Sequence, residues 1–480
     1  MDQNNIDQLK INSVENSLKQ GEYHRALENL KDLENKHNHF IIHWYLGQTY
    51  FKLHNYLDAI KHIKMCIELK SKDALNLNFL GQIFLEINNY EEAKNLFKEV
   101  LELDQDNVTA NYNLAKINFD QGKIKEGEKI YKDLIKRDPL NFGAYYQLIK
   151  VNEKYLSNEI TNKIKRNFSK LTLNNKIYSK LILAKENEKL QKYSLEIIDL
   201  IEAHTIYYNS KQKAANQQFN FYNNLLPNFT NKIKNLDSRT NSDLKPIFIM
   251  GLPRSGTTLV EKIVNSGKNR VQSLGESDVF DKVFFSHKII KEYENKFAIT
   301  DYKFLQDKII QQYFSQGLKK EFPVFTDKSI SNFLYIDLIL KIFPKAKFIY
   351  CYRNPLANII GILKAFLPNL LWTHSLKKVL TITDLYYQKL KEVKNNKLLN
   401  LYIISLEELS EKPDVISKNL FKFLNFKWSK DCIENPKDQM IFKTTSNLQV
   451  RKKIKKHNLD YISNYSSIIK ELGQNYDWLV

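Results

Sequence analysis

The residues with the most legible chemistry form one loop. Gly251-Leu-Pro-Arg-Ser-Gly-Thr-Thr258 follows the apolar run KPIFIM and leads directly into the helical pattern VEKIVNS. Glycines at both ends of the loop let the chain curl so that successive amides from Arg254 to Thr258 turn inward, and the first turn of a helix adds partial positive charge at the same spot. A cradle of Gly251, Pro253, Arg254, Ser255, Gly256, Thr257 and Thr258 suits a phosphate-like anion. The spacing of the glycines is that of the loops that hydrolyse ATP or GTP, but Thr257 stands where those loops need lysine for the outer phosphates, which disfavours that chemistry. Arg254 is the replacement cation, and its planar fork of donors matches an anion with several oxygens.

Other chemistry-bearing residues stand just after short strand-like runs. Glu276 follows Val271–Leu274, Lys328 follows Pro323–Thr326 by way of Asp327, and Arg353 follows Lys347–Tyr352. In an open α/β sheet ligands bind beyond the carboxyl ends of the strands, and right-handed crossovers set successive strands parallel. Taken singly, Glu276 could cap a helix, Lys328 could be a surface ammonium and Arg353 could pair with a buried acid. Delivered together to one sheet edge, they make a carboxylate, an ammonium and a guanidinium available to the same anion.

These side chains need a scaffold, and 480 residues predict about three folded units. A composition of 43% apolar and 26% charged residues excludes a disordered or collagen-like chain, and only 13 Gly and 10 Pro favour long helices. The N-terminal half repeats itself. Gly47, Gly81 and Ala115 are spaced by 34 residues, as are Ala59, Ala93 and Gly127, and LKQGEYHRALENL is an earlier partial copy. Small residues at this step fall where antiparallel helices approach closely, with large apolar residues filling the gaps between them. The pattern resembles tetratricopeptide (TPR) repeats over roughly residues 15 to 140, with Pro139 at a repeat end and weaker copies through Leu181 to Ala203. Such repeats specify an architecture with two uses: a groove for a peptide or protein partner, or an arm packed on its own catalytic domain. His37, His39 and His43 lie near one another, but no Cys or acidic residue is placed to complete a zinc set, and the three read as solvated surface.

The net charge of +19 divides into +4 before Lys245 and +15 from it onward, so the C-terminal half would attract anions. Cys66, Cys351 and Cys432 are too few and too far apart for a disulfide framework. The start, MDQNNIDQLKINS, has no apolar signal core, and the best membrane candidate, FLYIDLILKIF, is broken by Asp337 and Lys341. These features predict an intracellular, cytoplasmic protein with no membrane span.

GLPRSGTTL between a strand and a helix resembles the 5′-phosphosulfate loop of sulfotransferases, in particular the TPR-containing and the tyrosylprotein sulfotransferases. The resemblance implies a co-substrate, 3′-phosphoadenosine 5′-phosphosulfate, and roles for matching residues. Glu276 in LGES resembles the base that takes the acceptor proton, Lys328 in TDKSISNF the lysine on the bridging oxygen of the donor, and Arg353 the arginine on the 3′-phosphate. Asn332 and Phe333 fit the rest of the TDK element. Phe442–Arg451 resembles the Ser-x-x-Gln-Val nucleotide loop, with Ser446 in the contact position, and the basic run Arg451–Lys456 reads chiefly as a solvated face. Three positions depart from the family pattern. Gly361 replaces a serine on the 3′-phosphate, Asn354-Pro355 replaces Asp-Pro or Asp-Gly, and Leu406-Glu407 stands for Tyr-Glu. Because Gly361 lies in a helical run, a serine there is expected to be tolerated and to tighten donor binding by one hydrogen bond.

The expected architecture is an α-helical TPR solenoid at 1–203, a helical and polar linker at 204–244, and at 245–480 a three-layer α/β sulfotransferase domain with a mainly parallel sheet. The expected reaction is sulfuryl transfer to an acceptor hydroxyl on a protein tyrosine, a glycan or a small molecule. No metal is required, since the cations are side chains, and no nucleic-acid-reading module accompanies the basic residues. The alternative is a non-catalytic TPR adaptor whose second domain binds a nucleotide or a sulfated ligand; retention of Glu276 favours the enzyme.

Overall fold

The computed structural model describes residues 3–20, 22–70, 73–227, 242–266, 269–286, 302–395, 400–434 and 459–472, with 454, 476 and 478. They form two compact units. One comprises Met1–Ile117, Val279–Ala298 and Phe304–Lys319; the other comprises Asn118–Asp278, Ile299–Lys303 and Lys320–Val480.

The first unit is built of antiparallel helix pairs: Gln3–Gln20 with Tyr23–Glu34, Phe40–Lys52 with Tyr56–Lys70, and Ala74–Glu86 with Tyr90–Leu103. Polar caps start two of these helices, Asp73 accepting from the Asn76 amide and Asn89 from the Glu92 amide. The 34-residue step has the steric cause expected of it. A Cβ on Gly47 would lie 2.4 Å from Ile63 Cδ1, and one on Gly81 would lie 2.8 Å from the Phe97 ring, so larger residues would force the paired helices apart. Ala26, Ala59 and Ala93 are fully buried at the equivalent contact.

One sequence expectation is corrected here. His37 and His39 are exposed, His39 capping the Phe40–Lys52 helix, but His43 is buried with His62 on the next helix, and Glu34 stands beside both. The acidic partner comes from a different helix, which the local spacing of His37, His39 and His43 could not reveal. Burial, opposed by the Glu34 charge, lowers the pKa of both rings.

The second unit contains further helices, among them Ile124–Arg137, Phe142–Val151, Leu173–Lys189 and Tyr193–Ser210, together with a five-stranded sheet. The strands are β1 (Lys245–Met250), β2 (Gln272–Ser273), β3 (Val324–Asp327), β4 (Lys347–Tyr352) and β5 (Leu401–Ser405). Their order is β2-β3-β1-β4-β5 and every pairing is parallel. Continuous apolar runs suit strands covered on both faces, and Phe248, Ile249, Phe348 and Ile349 are fully buried. Lys364 ties helices to the sheet domain within this unit, reaching Glu188 at 2.7 Å and Glu196 at 2.9 Å, while Tyr465 donates to Glu196 at 2.6 Å. The three cysteines are free and buried. Among the described residues no helix is long and apolar enough to cross a membrane.

Candidate active site

Strand order decides which side chains meet. β1 is central and ends in the Gly251 loop; β3 lies on one side of it and β4 on the other, with β2 beyond β3. Along the carboxyl edge the order is therefore Glu276, Lys328, the loop, Arg353, and then Leu406-Glu407 after β5. The residues singled out at three separate strand ends thus flank the loop at adjacent positions.

Glu276 and Lys328 are held in register by backbone bonds that continue the β2–β3 ladder. Leu274 donates to the Thr326 carbonyl at 3.0 Å, and Lys328 donates to the Gly275 carbonyl at 2.8 Å. Gly275 adopts φ +63°, which lets the chain turn sharply before Glu276. Buried Asp327 locks the same corner, accepting from Ser277 Oγ at 2.7 Å and from the Ser329 amide at 2.9 Å. The result is a direct ion pair, Lys328 Nζ to Glu276 Oε1 at 2.7 Å. Burial works against the Lys328 ammonium, but Glu276 and then Glu261 outweigh it and its pKa is raised. Glu261 is buried behind, accepting from Ser273 at 2.8 Å and Thr326 at 3.2 Å, and burial pushes its pKa up.

The loop turns as its glycines require. Gly251 has φ +146°, and a Cβ there would strike the Cys351 carbonyl oxygen at 2.4 Å. The Ser255 amide is engaged internally by the Leu252 carbonyl at 3.2 Å, so it does not join the inward row of amides expected from Arg254 to Thr258. Its hydroxyl is buried and has no hydrogen-bond partner among the described residues. Thr257 and Thr258 open the helix Thr257–Ser266, whose first amides lack intrahelical acceptors by geometry. Asn358 Nδ2 holds the Pro253 carbonyl at 2.5 Å from the next crossover helix, Pro355–Ala365.

Arg353 has no carboxylate partner among the described residues. Its guanidinium donates to the Arg254 carbonyl at 3.1 Å and to the Tyr461 hydroxyl at 3.3 Å. Burial, and then the Arg353 charge, push the Arg254 guanidinium down to about 10, so Arg254 stays cationic near neutral pH. Two neighbouring cations and an unpartnered buried hydroxyl fit an anion with several oxygens. Ser446 and most of the basic run lie outside the described residues.

The three departures have structural counterparts. Asn354 caps the Pro355–Ala365 helix through the Ala357 amide at 3.1 Å, and its own amide donates to Glu407 at 3.1 Å. Leu406 is buried under the loop, where a Cβ on Gly256 would lie 2.7 Å from its Cδ1. Gly361 lies in a helix as expected, but the space is not open. A Cβ there would lie 3.1 Å from Arg353 Nη1 and 3.2 Å from Arg254 Cβ.

Sequence reasoning missed Tyr146, Lys150, Tyr461 and Asn358. Tyr146 and Lys150, on the repeat helix Phe142–Val151, interact electrostatically with Arg254. Lys150 keeps solvent contact, and the protein packed around it, then Arg254, pull its pKa below the ordinary lysine range. Nothing local in the sequence marks these residues, because the contact is long-range.

Residues 246–430 match the sulfotransferase family model. The C-terminal half carries a sulfotransferase-family domain. Tetratricopeptide models match residues 38–106 and 84–150, so the sulfotransferase-family domain follows a TPR array. An uncharacterized protein of Aquifex aeolicus (strain VF5) is 26% identical over 257 residues, 49% of this chain and 33% of that protein. The chain thus spans about a third of the length of that curated relative. Among solved structures, the sulfotransferase domain from the curacin biosynthetic pathway is 16% identical, covering 50% of this chain and 96% of that one with a TM-score of 0.31. For MamA the values are 20%, 37% and 96%, with a TM-score of 0.27.

Proposed function

We propose that this protein transfers a sulfuryl group from 3′-phosphoadenosine 5′-phosphosulfate to an acceptor hydroxyl. The observation that carries the reading is the Glu276–Lys328 pair beside a glycine loop that carries Arg254 and has Thr257 at the lysine position, inside the segment matching the sulfotransferase family. Glu276 takes the acceptor proton as the oxygen–sulfur bond forms, and the bond from sulfur to the bridging oxygen breaks on the opposite side. Adenosine 3′,5′-bisphosphate leaves with that electron pair. Lys328 and Arg254 stabilise charge developing on the leaving phosphate, Gly251 to Thr258 cradle the 5′-phosphosulfate, Arg353 binds the 3′-phosphate, and Ser446 belongs to the nucleotide loop. The limits 1–203, 204–244 and 245–480 belong to this reading, as does a peptide or protein partner on the repeats.

The test is incubation of the purified chain with sulfur-labelled donor and a host-cell lysate. Label appearing in a discrete acceptor with the wild type and not with Glu276→Gln supports transfer. Donor binding without transfer to any fraction would favour the adaptor.

A further inference from the structure

The repeats hold a second cluster with a different chemistry. Three helices of the first unit converge on one point. Tyr23–Glu34 contributes Glu34 from its last turn, Phe40–Lys52 contributes His43, and Tyr56–Lys70 contributes His62. His43 Nδ1 and His62 Nδ1 are 3.0 Å apart, and Glu34 Oε1 lies 3.9 Å from the first and 3.6 Å from the second. The nearest point equidistant from these three atoms lies in their plane, about 2.1 Å from each, and a small displacement off that plane keeps the distances near those of zinc to an imidazole nitrogen or a carboxylate oxygen. Ligand atoms around a tetrahedral zinc are about 3.3 Å apart, and the three observed separations straddle that value.

We propose that Glu34, His43 and His62 form a binding site for a divalent transition-metal ion of the zinc class within the repeats. The surroundings of the two rings support it independently of the triangle. His43 Nε2 lies 2.8 Å from Asn38 Oδ1, the outer hydrogen bond that fixes a metal-ligating imidazole with its Nδ1 lone pair turned to the ion. The His62 ring is stacked on Tyr50, centroids 5.3 Å apart at 11°, which holds its plane. Side-chain exposure is 2% for His43, 5% for His62 and 31% for Glu34, so two ligands are buried and the third stands at an entry path. A fourth position on the Glu34 side takes water. Two imidazoles and one carboxylate suit Zn²⁺ or Co²⁺; they are too nitrogen-rich for Ca²⁺ or Mg²⁺ and lack the thiolate that Cu⁺ prefers. The ion joins the helices of two successive repeats, so binding stabilises the repeat array.

The experiment uses the full chain, stripped with a chelator and dialysed. Zn²⁺ is titrated in competition with a chromophoric chelator, and Co²⁺ is followed by visible absorption. One equivalent is expected at micromolar affinity or tighter, with a raised melting temperature and cobalt bands of a four- or five-coordinate site. His62→Gln should weaken Zn²⁺ at least ten-fold and abolish the cobalt bands. Glu34→Gln, at a partly exposed position, gives the same readout should His62→Gln fail to fold. Wild-type binding that does not saturate below about 100 µM, or affinity unchanged in Glu34→Gln and His62→Gln, would overturn the site and assign any bound zinc to the chain's other histidines.

Discussion

Lys328 Nζ donates to Glu276 Oε1 across 2.7 Å, joining an ammonium 2% exposed to a carboxylate 40% exposed. The pair brings the proposed base and a proposed sulfonate contact to one point before any ligand arrives. A carboxylate is the form that can accept a proton, and its partial exposure leaves it open to an acceptor.

Glu276→Gln should therefore abolish sulfuryl transfer and leave affinity for adenosine 3′,5′-bisphosphate nearly unchanged. The carboxamide oxygen still accepts from Lys328. Removing a general base costs about 10²- to 10⁴-fold. Turnover measured with labelled donor checks the first half and calorimetry the second; retained turnover would remove Glu276 from the mechanism.

Arg353→Ala is expected to weaken adenosine 3′,5′-bisphosphate by about 1.5 to 3 kcal/mol and adenosine 5′-phosphate by much less, because only the former carries the phosphate assigned to this guanidinium. Among the described residues Arg353 bonds only a carbonyl and a hydroxyl, so no buried acid is stranded by the change. Equal losses for the two nucleotides by calorimetry would contradict the assignment.

How far the sequence foretold this arrangement depended on whether a feature is written locally. β1 and β4 occupy the residues that their apolar runs mark, and the strand-end rule picked out Glu276, Lys328 and Arg353 because a parallel sheet delivers successive chain segments to one edge. The 34-residue step was equally legible, since Gly47 and Gly81 answer to bulky partners at fixed offsets. Contacts between distant segments were not. His62 lies two helices beyond Glu34, and the packing of Leu406 against Gly256 joins segments 150 residues apart. The approach of Lys150 to Arg254 depends on how a repeat helix lies within its unit, which no local pattern encodes.

Lys364→Met should destabilise the second unit by about 3 kcal/mol at neutral pH, because it strands Glu196, a carboxylate only 2% exposed, with the Tyr465 hydroxyl as its remaining bond. The sign of the pH dependence follows from Glu196. Burial raises its folded-state pKa even with Lys364 present, and removing that cation raises it further. A raised carboxyl pKa contributes stability below the unfolded value, about 4.3, that is lost as pH rises through the folded value. The deficit of Lys364→Met relative to wild type is therefore small near pH 4 and grows toward pH 7. Urea midpoints at the two pH values check it, and an equal deficit at both would show that the ammonium does not act through Glu196.

The last expectation concerns Gly361, where restoring the serine usual in the family looks at first like a gain. Gly361 lies within the helix Pro355–Ala365 and does not adopt a positive φ, so its backbone accepts a side chain. The obstacle is what that side chain meets. Arg353 Nη1, 3.1 Å from the new Cβ, is the far end of a flexible chain and can swing aside. Arg254 Cβ, at 3.2 Å, belongs to a residue held at φ +71° in the phosphate loop and has little freedom to withdraw. Overpacking of this kind costs about 1 kcal/mol or more. Gly361→Ser should thus lower affinity for adenosine 3′,5′-bisphosphate by roughly five-fold with an unchanged circular dichroism spectrum, and Gly361→Ala, which adds the Cβ without the hydroxyl, should lose about as much. Tighter binding by Gly361→Ser than by wild type would mean that the hydroxyl reaches the 3′-phosphate and that the loop yields at Arg254.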